Sequence, residues 1–192
     1  MTAQGPQELV TSRLRLRQWR DQDLPAFAAM NADPEVMAHF PAALTMQESA
    51  HLMARLRTKI EENGWGLWAA QLRSSGELIG FVGLNSPDPV LPCAPCVEVG
   101  WRLLPLYWGQ GYATEAARRA LDFAFDELTV AEVVSFTALP NKRSQAVMKR
   151  LGMHDTGENF DHPMVAAETG LRKHVLYRIL SDVHTQNRRP SH

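Results

Sequence analysis

Leu14 and Leu16 alternate with Arg13, Arg15 and Arg17, a two-residue period that predicts a half-buried strand. From Asp21 to Met30 the spacing turns helical, with Pro25 in the first turn, where its missing N–H is harmless. Thr45 and Glu48 have the spacing of a capping box, in which each side chain satisfies a backbone donor of the other residue. They predict a second helix that runs to about Glu62 and ends at Asn63-Gly64. Trp65 to Leu72 and Glu77 to Leu84 are apolar runs around Ser74-Ser75-Gly76, the pattern of a β-hairpin. Pro87, Pro89, Pro92 and Pro95 then enforce a loop from Asn85 to Pro95.

Val97 to Leu104 reads as the fourth strand. Ala113 to Leu128 reads as a helix, with Ala116, Ala117, Ala120, Leu121, Ala124 and Leu128 on one face. Val130 to Leu139 is the fifth strand, and Asn141 to Leu151 is a short helix stopped by Gly152. Two late strands are expected over Met153 to Phe160 and Arg172 to Leu180. The order β-α-α-β-β-β-α-β-α-β-β predicts one α/β (α+β) domain over residues 1–180, with about seven strands and about four helices. The sheet is mixed, because a hairpin is antiparallel while strand–helix–strand units favour parallel pairing. Trp65, Trp68 and Trp101 are expected in the core, and the polar segment 181–192 is expected to be a disordered tail.

Composition narrows the function classes. With 192 residues, 45% hydrophobic and 21% charged, the chain suits one globular domain with a full core. The formal net charge of -1 leaves no basic footprint for nucleic acid. No apolar run approaches the ~18 residues of a membrane span. Met1 to Gln7 lacks the basic-then-apolar pattern of a signal peptide, so a cytoplasmic address is expected. Cys93 and Cys96 read either as a redox pair or half zinc site, or as ordinary loop thiols. With no second Cys pair and no His pair at ligand spacing, no metal is expected.

The chemistry concentrates between Val97 and Ala117, where a strand runs into a glycine-rich turn that opens a helix. Gly109 and Gly111 let main-chain N–H groups approach a ligand without a Cβ in the way. The helix mouth adds unsatisfied N–H groups and about half a positive charge, a combination that binds phosphate. A dinucleotide fingerprint would place this turn after the first strand, and a P-loop would carry Lys-Ser/Thr; neither holds here.

The string Tyr107-Trp108-Gly109-Gln110-Gly111-Tyr112-Ala113-Thr114-Glu115-Ala116 resembles the pyrophosphate loop of the GNAT acetyltransferases. In that superfamily the loop has the form Arg/Gln-x-x-Gly-x-Gly/Ala. Trp108 departs from its first position in the manner of the branch resembling the RimJ/RimL ribosomal-protein N-terminal acetyltransferases. A second stretch, Asn141-x-x-Ser144-x-x-Val147-Met148-Lys149-x-Leu151-Gly152-Met153, is similar to a helix of the same branch. The resemblance covers roughly Leu9 to Leu180. It implies a mostly antiparallel GNAT-like acyl-coenzyme A N-acyltransferase fold, in which strands four and five splay apart to admit acetyl-coenzyme A as co-substrate.

The resemblance also assigns roles. The main chain of Trp108, Gly109, Gln110, Gly111, Tyr112, Ala113 and Thr114 would hold the pyrophosphate, and that of Leu103 and Leu104 the pantetheine arm. Glu98 would be the general base that takes a proton from the acceptor ammonium; the plainer alternative is a solvent-facing or ion-paired strand glutamate. Asn141 would contact the arm, although Asn is also a favoured helix cap. Ser144 would lie near the sulfur as coenzyme contact and proton donor, in place of a tyrosine that other members use; the alternative is that the thiolate leaves unprotonated, since a hydroxyl is a poor acid. Arg143, with Lys142 and Arg150, would reach the adenosine phosphate end or simply coat a solvated helix face. Asp161 and His162 fall in a late connection that shapes the acceptor pocket in such folds. The acceptor would be a small-molecule or peptide amine, with direct transfer and no covalent enzyme intermediate; homodimers are common among relatives. Two rivals remain: a non-catalytic acyl-coenzyme A sensor and a nicotinamide-dependent oxidoreductase.

Overall fold

The computed structural model describes residues 5–188. A nine-stranded sheet is built from β1 (Leu9–Val10), β2 (Leu14–Arg17), β3 (Leu67–Leu72), β4 (Leu78–Asn85), β5 (Glu98–Leu103), β6 (Glu132–Ala138), β7 (His154–Asp155), β8 (Phe160–Asp161) and β9 (Lys173–Leu180). Its order is β1-β2-β3-β4-β5-β6-β9-β7, with β8 also on β9. Every pairing is antiparallel except β5–β6. The helices are α1 (Leu24–Ala32), α2 (Met46–Asn63), α3 (Tyr112–Asp126), α4 (Lys142–Arg150) and α5 (Ser181–Arg188).

Local chemistry explains the element ends. The Thr45 hydroxyl accepts from the Glu48 N–H at 3.2 Å, and Glu48 Oε2 accepts from the Thr45 N–H at 2.7 Å, so the capping box opens α2 as its spacing predicts. Gly64, at φ 80°, closes that helix in the left-handed region.

Register divides the sheet into two faces. Trp68, Val82 and Trp101 stand opposite one another on β3, β4 and β5, and the buried Trp68 ring meets Phe123 of α3 edge-on at 5.8 Å. Ala69, Phe81 and Arg102 occupy the other face, where Phe81 meets Phe27 of α1 at 6.2 Å. Thus α1 and α3 cover opposite faces, and α4 lies against α3 and β6.

Three expectations need correction. Arg17 belongs to the polar alternation of β2 yet is buried, because Asp23 receives its guanidinium in two bonds of 2.7 and 2.8 Å. The strand expected over Met153 to Phe160 breaks into β7 and β8 around Gly157, at φ 72°, where Asp155 Oδ1 accepts the Gly157 N–H. The tail expected to be disordered from residue 181 instead forms α5: His184 is buried, 2.8 Å from Asp122 Oδ1 on α3 and against the Phe125 ring. Residues 189–192 of that tail, and 1–4 at the other end, lie outside the described residues.

Candidate active site

β5 and β6, the fourth and fifth strands of the sequence reading, meet at one residue pair, Glu98 opposite Val134, where the Val134 N–H donates to the Val97 carbonyl at 2.9 Å. Beyond that pair they part. Strand alternation turns the main-chain groups of Val99, Trp101 and Leu103 to the same open edge as Val97. Sequence reading named Leu103 and Leu104, but Leu104 faces the other way. Its N–H donates to the Ile79 carbonyl on the β4 side, and its carbonyl accepts from Tyr107. The Leu103 carbonyl is already taken by the Trp108 indole N–H at 2.8 Å. The freer main chain on this edge belongs to Val99 and Trp101, which the alternation of the strand could have indicated.

At the far end of β5, Pro105 starts a single 3-10 turn over Pro105–Tyr107, and the glycine-rich bend follows. Gly109 and Gly111 both have positive φ, 74° and 82°. A Cβ on Gly109 would meet nothing within 4 Å. Gly111 is the N-cap of α3 and offers no side-chain cap. The N–H groups of Gly111, Tyr112, Ala113 and Thr114 are the four that helix geometry leaves without an intrahelical acceptor. Gln110 folds back, its amide donating to the Leu106 carbonyl at 2.8 Å.

Two cations flank this mouth. Arg13 donates to the Gln110 carbonyl at 3.0 Å, pairs with Glu115 at 2.6 Å, and lies 4.3 Å from the centre of the Tyr112 ring. Glu115 also accepts from Thr11, Ser12 and the Arg13 N–H. Burial pushes its carboxyl up, but these hydrogen bonds outweigh burial and hold it below the usual range. Arg143 of α4 lies 4.5 Å from the centre of the Trp108 ring and pairs with Glu35 at 3.0 Å. Lys142 and Arg150 are exposed on α4. The loop string contains Glu115, but its partner Arg13 is about a hundred residues away and carries no signal of the pairing.

Across the open edge, Asn141 caps α4. Its side-chain oxygen accepts the Ser144 N–H at 3.2 Å, and its amide donates to Thr137 Oγ1 at 2.9 Å and to Ser144 Oγ at 3.1 Å. Ser144 Oγ is therefore an acceptor from Asn141, which leaves its own O–H proton to point elsewhere.

Glu98 stands half-buried at the start of β5. Burial pushes its carboxyl up to about 7, against the Asn85 hydrogen bond and the charge of Lys59, which act downward. Asn85 Nδ2 donates to Glu98 Oε2 at 3.1 Å, and Lys59 Nζ donates to Asn85 Oδ1 at 3.0 Å. Lys59 and Asn85 also line a small cavity of about 40 Å³. Gly100 is next on the Glu98 face; a Cβ there would come to 3.7 Å from Glu98 Oε1.

Asp161 is exposed and faces Arg172 at 3.7 Å. His162 joins an aromatic cluster with Phe136, Phe160 and His174, its ring centre 4.8 Å from that of His174. Burial first, then the charge of His174, lowers its pKa. Of the two, only His162 is brought to β6, through Phe136. Cys93 and Cys96 are free, half-buried thiols in the proline-rich loop. Burial, then the neighbouring Cys93, raises Cys96 to about 12, which leaves little thiolate. Among the described residues no cluster of three His, Cys, Asp or Glu side chains could hold a metal ion.

Known proteins share this architecture. The family model described as an acetyltransferase (GNAT) domain matches residues 13–154. The FsC-acetyl coenzyme A-N(2)-transacetylase of Aspergillus fumigatus is 30% identical over 201 aligned residues, covering 100% of this chain and 83% of that protein. YkkB of Bacillus subtilis is 30% identical over 148 residues, 77% of this chain and 85% of that one. The crystal structure of an acetyltransferase from Agrobacterium tumefaciens superposes with a TM-score of 0.73 at 27% identity, covering 92% of this chain and 95% of that one. A match that begins at Arg13 and passes through the glycine bend and α4 to His154 takes in both the mouth of α3 and the parted strands, and it makes this chain a member of the GNAT family of acetyltransferases.

Proposed function

We propose that the chain transfers an acetyl group from acetyl-coenzyme A directly to a primary amine, on a small molecule or a peptide N-terminus. The observation that carries this reading is the parted β5–β6 edge, which leads along β5 from the glycine bend toward Glu98. The name of the Aspergillus relative, with acetyl coenzyme A as donor and a nitrogen as acceptor, supports the same reading.

The residues suit the coenzyme. A pyrophosphate needs several donors and little bulk. The bend supplies main-chain N–H groups from Gln110 to Thr114, two glycines at positive φ, and a helix mouth with Arg13 and Arg143 close by. Val99 and Trp101, with the Leu103 N–H, offer strand-like main chain to the pantetheine arm, and Asn141, Arg143 and Ser144 face it from the start of α4. When bound, acetyl-coenzyme A supplies an activated thioester acyl group.

The chain's own residues perform the remaining work. Glu98, with a carboxyl near neutrality, accepts a proton from the acceptor ammonium, directly or through one water. Main-chain donors on the open edge of β5 polarise the carbonyl that the amine attacks. Ser144, its oxygen engaged by Asn141, keeps its proton for the departing thiolate. His162 and its aromatic neighbours wall the acceptor side.

The test is thiol release from acetyl-coenzyme A over a panel of amino acids, polyamines and N-terminal peptides. Release with at least one amine, and a melting temperature raised by acetyl-coenzyme A but not by NAD or NADP, is the expected result. Binding without release across the panel would instead identify an acyl-coenzyme A sensor.

A further inference from the structure

We propose that Arg102 is a specificity-determining residue that receives a carboxylate carried by the acceptor. This deepens the acetyltransferase reading and rests on it, since Glu98 marks the amine end.

Arg102 lies on β5 four positions after Glu98. Even spacing puts both on the face that α1 and α2 cover, roughly 13 Å apart along the strand. Between them stands Gly100, where a Cβ would meet no backbone and only the Glu98 and Leu67 side chains within 4 Å. A carboxylate and a guanidinium thus bracket a stretch of strand with no side chain of its own.

The guanidinium is only partly satisfied. Nη1 donates to Asn31 Oδ1 at 2.7 Å. The Phe40 and Phe81 ring centres lie 4.1 and 5.3 Å from its central carbon. These contacts attract a cation but provide one neutral acceptor between them. Nε is buried and has no hydrogen-bond partner. No carboxylate among the described residues lies within ion-pair distance of Arg102, whereas the fully buried Arg17 is paired with Asp23 in two bonds. Burial lowers the Arg102 pKa to about 10, which still leaves it charged at neutral pH. A half-buried, charged fork with an idle Nε donor on its edge matches a carboxylate bidentately. The acceptor is the molecule that would bring one.

The chemistry is a carboxylate; its source is either the acid group of a small amino acid or an acidic side chain near a peptide N-terminus. Acetyl transfer by the wild-type protein is measured on matched pairs. One arm uses ω-amino acids of increasing length against their primary amides. The other uses peptides with Asp or Glu at the second or third position against Asn or Gln. The expected result is a preference of tenfold or more in kcat/KM for the acid in one arm, carried mostly by KM, and that arm names the source. In Arg102→Gln the preference falls to near unity, and in Arg102→Lys it is partly kept. Equal use of acid and amide in both arms overturns the proposal, as does an undiminished preference in a folded Arg102→Gln. Calorimetric binding of the same pairs to the wild-type protein with coenzyme A present, which carries no acetyl group to transfer, reads the preference without turnover or a variant. Absent thiol release therefore counts against the transferase reading, while release or binding without acid preference counts against Arg102 alone.

Discussion

The Glu115 carboxylate grips Arg13 twice, through the guanidinium Nε at 2.6 Å and the main-chain N–H at 2.9 Å, and so ties the start of β2 to the first turn of α3. An acidic residue in a first helical turn is favourable in itself. Here it also aims the Arg13 fork at the Gln110 carbonyl, beside the mouth of α3. Glu115→Ala frees that arginine and removes four hydrogen-bond donors' acceptor. The expected cost is about 2 kcal/mol of stability, with a several-fold rise in KM for acetyl-coenzyme A and little change in kcat. The sign with pH follows from the lowered carboxyl: its stabilisation is present above the unfolded-state pKa and is lost as pH falls through the folded one. Wild type and variant should therefore converge in melting temperature under acid conditions; a constant gap down to low pH would remove Glu115 as the cause.

Gly109 and Gly111 allow a finer test of the bend, because both sit at positive φ but only one has a neighbour close to its missing Cβ. Gly111→Ala places a methyl 3.4 Å from Arg13 Nη2, whereas Gly109→Ala meets open space. Each carries a left-handed strain of about 1 kcal/mol. Only Gly111→Ala should add a disturbance of Arg13. The expected outcome is a similar loss of melting temperature in both variants and a larger rise in acetyl-coenzyme A Kd for Gly111→Ala. Isothermal titration reads both constants directly, and equal Kd values would mean that Arg13 has no part in the cradle.

Glu98 should govern the acidic limb of the rate profile. With its carboxyl pushed up to about 7, kcat/KM should climb as pH rises through that value. The amine imposes its own later limb near its pKa of about 8 to 10. Glu98→Gln keeps the shape and deletes the limb near 7, with a loss of about 10²–10⁴ in kcat. A raised carboxyl also costs stability once ionised: wild type should weaken between about pH 4.5 and 7, and the glutamine variant should not. Above pH 7 the variant should therefore be more stable by about 1–3 kcal/mol. A profile that keeps its limb near 7 in Glu98→Gln assigns that limb to another group.

How much of this was legible beforehand follows from the range of each interaction. The α2 capping box, the proline-rich loop and the glycine bend are local, and their spacing announces them. Glu98 was visible as a strand carboxylate. Its tuning was not, since Asn85 reaches it only through the β4–β5 register, and the charge of Lys59 comes from α2, held there on Asn85. Arg17 was misjudged for the same reason: alternation cannot show that Asp23 folds back to receive it. The segment after Leu180 looked like a tail because it is polar, yet one buried histidine and its contacts on α3 accompany a helix there. Leu104 follows Leu103 in the sequence, but its N–H is taken by Ile79 on the β4 side, a pairing that only the register of β4 and β5 reveals.

Ser144 and Asn141 separate proton donation from helix capping. Asn141 holds Ser144 at two points, accepting its N–H and donating to its Oγ. Ser144→Ala keeps the first bond and loses only the hydroxyl. If that hydroxyl protonates the departing thiolate, kcat should fall by about tenfold or more. The fall should shrink when the donor carries a thiol of lower pKa, which leaves without help, while KM for acetyl-coenzyme A changes little. Asn141→Ala removes the cap as well, so it should cost about 1 kcal/mol of stability and loosen Ser144. Its kcat should then fall no further than that of Ser144→Ala, and the double variant should match Ser144→Ala alone, because both substitutions act on one proton path. Additive losses in that cycle would mean that the two residues act separately, with Asn141 serving the coenzyme arm and Ser144 no more than a contact.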